Sequence, residues 1–176
     1  MADKNQLNLA EAEQLADQIR INIAFEQMVV AVLCGALSGG ALTLLIGLVQ
    51  SLLGGFSVSG FVATLLETFF VSVLVFLVGF GASVVFGAPL FSALENRKRR
   101  NVWPYLAGAL GVAVIVLVLT VGGLPTTEDI SLKALASIFI PALIVAIVFA
   151  RGMQPHWRAA EKAEADAQGP VMFRIH

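Results

Sequence analysis

Four long apolar runs dominate the chain: residues 27–50, 61–87, 102–122 and 132–150. Each is long enough for the roughly 20 apolar residues that a helix needs to cross a hydrocarbon core of about 30 Å. None shows the strict alternation of a barrel strand, and backbone exposed to lipid must satisfy its own hydrogen bonds, so the runs predict helices. The second run would reach about 40 Å as a helix, longer than the core, which predicts tilt or a start above the hydrocarbon.

Polar positions frame these runs. Before the first, Leu15, Ile19 and Ile23 recur at helical spacing opposite Glu11, Gln14, Asp17 and Gln18. This pattern predicts an amphipathic helix with Asn8 as N-cap and Glu11 completing a variant capping box. It would lie on the membrane surface, dock on a partner or simply continue the first span. After the fourth run, Pro155 suits the first position of a short, charged, Ala-rich soluble helix that Gly169 and Pro170 would stop. The apolar tail 171–176 either folds back or frays. The expected fold class is thus an all-α polytopic membrane protein with four transmembrane helices. Its segments are a cytoplasmic or interfacial one at 1–26, a four-helix membrane domain at 27–150 and a cytoplasmic tail at 151–176.

Charge sets the orientation. Lys4 and Arg20 precede the first run, Arg97, Lys98, Arg99 and Arg100 separate the second from the third, and Arg151, Arg158, Lys162 and Arg174 follow the fourth. The connection 51–60 is uncharged, the other outer connection carries Glu128 and Asp129, and only Lys133 lies near that side. The positive-inside rule therefore places both termini in the cytoplasm, with Trp103, Tyr105 and Trp157 at the headgroup level. Compactness and the absence of organelle-targeting signals suggest a bacterial inner membrane. The polar residues 1–26 are unlike a cleaved signal peptide.

Composition narrows the chemistry: 58% of the 176 residues are hydrophobic and 13% charged, against about a quarter charged in soluble domains. The single Cys34 excludes an intrachain disulfide and a cysteine zinc site. His156 and His176 fit no metal-binding spacing, no phosphate loop ends the Gly35 to Gly40 stretch, and no Ser-His-Asp set is legible. No cofactor is expected, and nucleic acid is not an expected partner, since the basic run 97–100 has no soluble binding domain around it. Beside a bilayer that run, with Trp103, suits topology and lipid headgroup contact.

Small residues at four-residue spacing predict the packing faces. They are Ala31, Gly35 and Gly39 in the first span; Gly79, Ser83 and Gly87 in the second; Ala107 and Gly111 in the third; and Ala142, Ala146 and Ala150 in the fourth. Short connections predict antiparallel pairing of spans one with two and three with four. Pro141 predicts a kink in the fourth. Glu67, the only acid within the four runs, lies near Thr64, Thr68 and Ser72 on roughly one face. It would serve as an interfacial contact, a polar partner contact or part of an ion pathway.

These features lead to a non-enzymatic accessory or structural subunit of a membrane assembly, touching lipids and other membrane chains or copies of itself. The alternative is a small oligomeric transporter or channel with Glu67 and Thr68 in a polar pathway, and a lipid-modifying enzyme ranks third. No family resemblance emerges.

Overall fold

The computed structural model describes residues 2–55, 57–121 and 132–167, with side chains at 15, 18–55, 57–120 and 134–166. The chain is an all-α bundle with four helices long and apolar enough to cross a membrane. Helix α1 spans Ala2–Gly54, α2 Val58–Ala82, α3 Ala88–Asn96, α4 Trp103–Val121 and α5 Leu132–Ala167; a π-helical segment, Ser83–Gly87, joins α2 to α3.

The flanking amphipathic segments are continuations of the spans. α1 is one helix of 53 residues, about 80 Å at ~1.5 Å per residue, far longer than the hydrocarbon. Asn8 lies six positions inside it, so the expected cap is replaced by a start at Ala2. Likewise, Pro155 does not open a separate helix: α5 runs through both Pro141 and Pro155. An amphipathic run attached to an apolar helix propagates the helix already nucleated, in α5 even across Gly152 and Pro155, because extension costs less than a new start. The outer residues Glu128 and Asp129, the stop at Gly169 and Pro170 and the tail 171–176 lie outside the described residues.

Two local features mark the end of α1 and the start of α2. Gly55 takes φ +93°, which only glycine adopts without strain. Ser57 then caps α2, its Oγ accepting from the Gly60 N–H at 3.1 Å.

The second span extends beyond residue 87 because Pro89 does not end it. Proline removes an amide donor and crowds the carbonyl four residues back. The register slips by one residue just upstream, with the Ala88 N–H donating to the Ser83 carbonyl five residues back. The helix resumes as α3 with Pro89 in its first turn. A π-turn is one of the ways a membrane helix reorganises its hydrogen bonds around proline.

α1 is the central helix, packed on α2 on one side and on α5 on the other, while α4 packs on α5. The expected pairs one–two and three–four are therefore both present. Small residues bring α1 close to its neighbours. A Cβ on Gly35 would overlap Val145 Cγ2 and come within 3.2 Å of the Pro141 carbonyl oxygen, and one on Gly39 would lie 3.2 Å from Val75 and 3.3 Å from Pro141. On the α2 side, a Cβ on Gly40 or Gly47 would overlap Ser72 Oγ or Thr64 Cγ2. Ala31 and Ala150 are fully buried.

Candidate functional site

The densest side-chain organisation lies at the basic end of the bundle, where the start of the apolar part of α1, the α3–α4 connection and the later half of α5 meet. Ala24, Leu94, Tyr105, Ala150, Met153 and Trp157 form its core. Tyr105 stacks on Trp157 with ring centroids 5.7 Å apart and meets Phe149 at 5.3 Å, and Phe149 meets Phe91 edge-on at 6.1 Å. Tyr105 and Trp157 are thus internal, at 7% and 5% exposure, rather than interfacial anchors. Trp103, by contrast, is 73% exposed at the start of α4.

The basic run divides into two kinds of residue. The Arg100 side chain is only 4% exposed and donates through Nη2 to Glu95 Oε1 at 3.2 Å and Glu164 Oε1 at 2.9 Å. Lys98 Nζ donates to Glu164 Oε2 at 3.3 Å. Arg100 and Lys98, expected at lipid headgroups, are bonded to carboxylates of α3 and α5, but only Arg100 is buried; Lys98, its side chain 66% exposed, stays at the surface with Arg97 and Arg99. Burial works against the Arg100 charge, but its hydrogen bonds to Glu164 and Glu95 outweigh that cost and raise its pKa above the ordinary value. Those bonds, Arg100 first and Lys98 second, hold the Glu164 carboxyl, well beyond the apolar part of α5, below the usual range.

Local backbone geometry presents these cations. At the end of α3 the Lys98 N–H donates to the Glu95 carbonyl at 2.9 Å and the Arg99 N–H to the Leu94 carbonyl at 2.9 Å. This is the Schellman pattern, with Lys98 at the left-handed position, φ +53°, that glycine normally occupies. A lysine there accepts backbone strain and gains a bond to α5.

Beside this network lies a half-enclosed cavity of about 570 Å³ between the α2–α3 helix and α4, floored by α1 and α5. Small residues make room for it. Gly79, Ser83 and Gly87 line it from one side, Gly108 and Ala109 from the other, and Ala142 and Ala146 from α5. The span-two stripe predicted from the sequence thus borders a cavity along most of its length; only Gly79 would bring a Cβ into contact with α1, 3.4 Å from Val32. The walls are mostly apolar and aromatic, and the polar lining is concentrated near Arg20, Ser92, Glu95 and Asn96. A smaller cavity of about 240 Å³ shares Arg20, Phe91 and Glu95 with it and adds His156 and Trp157.

The other predicted residues are placed differently. Ala107 and Gly111 are exposed, and a Cβ at Gly111 would meet nothing within 4 Å. The buried face of α4 is Tyr105, Ala113 and Leu117. Thr64, Thr68 and Ser72 line up toward α1, each hydroxyl donating to the carbonyl four residues back at 2.8–3.0 Å. Glu67 is exposed and lies off that row. Cys34 is half-buried on α1, and no group of three or more potential metal ligands forms among the described residues.

Sequence reasoning did not anticipate the Glu95–Arg100–Glu164 network or the cavity. The available signals were Glu95 just before the basic run, an acid in the charged extension of α5, and Pro89 amid small residues. Comparison with family models, curated proteins and solved structures finds no match for this chain. Function therefore has to be argued from the bundle itself.

Proposed function

We propose that the protein is a small membrane transporter that admits its ligand to the cavity between the α2–α3 helix and α4, with its basic end and both termini in the cytoplasm. The observation that carries this reading is the cavity itself. Its volume falls within the ~300–1,000 Å³ typical of ligand sites, and it combines mostly apolar walls with a polar margin. A bundle that served only as packing material would gain stability by filling such a space. The π-turn in one wall fits a binding role, since such turns recur at functional sites in membrane and soluble helices alike. The proposed role is movement of a ligand, not chemical conversion.

The test is flux in reconstituted vesicles. Ala109→Trp, which fills the cavity from α4, should abolish uptake of amphiphilic solutes while helix content and oligomer distribution stay unchanged. Unaltered uptake in a folded Ala109→Trp protein would refute this route.

An accessory-subunit reading draws on a separate observation, the exposure of Glu67 on α2 and of Ala107 and Gly111 on α4. A carboxylate on the outer side of an apolar helix is costly against lipid and favourable against a polar group of a neighbouring chain. On this reading Glu67→Gln shifts the oligomer or partner distribution in native-like membranes and leaves flux per assembled unit intact. Selective loss of flux with normal assembly would instead put Glu67 in the transport pathway.

A further inference from the structure

We propose that the two adjoining cavities together hold one anionic phospholipid, with an acyl chain in the larger and the phosphate in the smaller. This rests on the reading above only in taking the same space as the binding site.

The first support is how the walls are ordered by depth. Arg20 on α1 and Asn96 on α3 lie at the basic end. The lining then continues along α1 to Met28 and back along the α2–α3 helix to Gly79. At ~1.5 Å per residue these walls span about 12 Å and about 25 Å. One leaflet of a ~30 Å hydrocarbon core is about 15 Å deep. The larger cavity therefore extends from headgroup level through roughly one leaflet, the length of a single acyl chain. Because the cavity is only half-enclosed, a chain can enter sideways from the bilayer.

The second support is charge at the junction of the cavities. Arg20 lines both and forms an ion pair with no described residue. Glu95 also lines both, but one of its oxygens is bonded to the buried Arg100 cation, which offsets its charge toward an incoming anion. The smaller cavity adds Trp157, 5% exposed, whose buried Nε1–H finds no acceptor among the described residues. A buried donor without an acceptor costs about 1–3 kcal/mol, and a small turn of the indole toward the cavity would give it a phosphate oxygen. A guanidinium and an indole N–H at headgroup level, beside a chain-length apolar space, match a phosphodiester with an acyl tail. They match a free inorganic anion poorly, because the larger cavity would then have no occupant.

The experiment uses the full chain in phosphatidylcholine vesicles containing a trace of spin-labelled phosphatidylglycerol or spin-labelled phosphatidylcholine, and reads the motionally restricted fraction of each. The wild type should hold phosphatidylglycerol in preference to phosphatidylcholine. Arg20→Gln should reduce that preference about fivefold, the equivalent of the ~1 kcal/mol carried by one cation near the membrane surface. Trp157→Phe, which keeps a ring against Tyr105, should also reduce it, while Arg97→Gln and Arg99→Gln should not. Ala109→Phe, or Ser83→Phe from the opposite wall, should abolish the preference for phosphatidylglycerol, leaving only the boundary fraction that the outer helix surface restricts, at unchanged helix content. If Arg97→Gln and Arg99→Gln act as strongly as Arg20→Gln, the preference is plain surface electrostatics and the proposal is overturned. A phosphatidylglycerol preference that survives in a folded cavity-filling variant overturns it too. Arg20-dependent binding without flux would sink the transport reading alone, and flux without Arg20-dependent binding would sink the lipid proposal alone.

Discussion

Gly47→Ala tests the contact between α1 and α2 through a change of sign. The new Cβ would overlap Thr64 Cγ2 and stand 3.1 Å from Thr64 Oγ1 and 3.3 Å from its Cβ. Thr64 cannot easily turn away: it is buried, β-branched, and its hydroxyl donates to the Gly60 carbonyl at 3.0 Å. Overpacking of this kind costs about 1–3 kcal/mol, against a gain of about 1 kcal/mol for alanine over glycine in a helix. The single substitution should therefore destabilise by ~0–2 kcal/mol. Thr64→Ser removes the obstructing methyl and keeps the hydroxyl, at a cost of about 0.5–1.5 kcal/mol for one lost methyl. In that background Gly47→Ala should become stabilising by up to ~1 kcal/mol, giving a favourable coupling of about 1–3 kcal/mol. The assay is reversible unfolding in bilayer discs followed by circular dichroism, with Gly111→Ala, where a Cβ meets nothing, as a control that gains the helix propensity in both backgrounds. Coupling below about 0.5 kcal/mol would refute the close approach at Gly47.

Lys98→Gly should stabilise the chain by up to about 1 kcal/mol in the same assay, because it relieves a left-handed residue, φ +53°, at the end of α3. Arg100→Lys should lower thermal stability although charge is kept, since Nη2 at the far end of the planar guanidinium makes both bonds, and the more strongly hydrated lysine ammonium is costlier to bury there. Because the folded Glu164 pKa is lowered, its link to Arg100 contributes fully above the unfolded carboxylate value of about 4.3 and is lost as pH falls through the folded value. Spin-label distances between the 97–100 turn and α5 should stay constant from neutral pH to below 5 and lengthen only under stronger acid, and lengthening already near pH 6 would contradict this.

The spans were legible because lipid imposes one strong rule: about 20 apolar residues with no unpaired backbone. Gly35 and Gly39 were legible as packing residues for the same kind of reason, as small residues permit close approach. The charged network was not. Arg100 stands in a run of four basic residues, and nothing in such a run marks which member turns inward. Its nearer partner, Glu95, is five residues away, but Glu164 is 64 residues away in an extension that reads as a solvated helix. Tyr105 and Trp157 misled similarly, since an aromatic at a helix end suits the headgroup region equally well whether it faces lipid or another ring.

The small residues show why a cavity was harder to foresee than a contact. Gly35 and Gly47 face Val145 and Thr64, so a bulky side chain fills the space each leaves and the helices close up. Gly79, Ser83 and Gly87 belong to a helix whose register the π-turn shifts just before Pro89, and they line the cavity opposite the small Ala109 on α4, while Gly108 beside it is met by Leu90, 2.9 Å from where a Cβ would lie. α4 is held by α5 and only lightly by the π-helical segment, so it does not collapse onto the α2–α3 wall. One stripe of glycines therefore tightens a bundle when the opposite face is branched and opens it when the opposite face is small. The deciding residues lie on a different helix, 17 or more positions away along the chain.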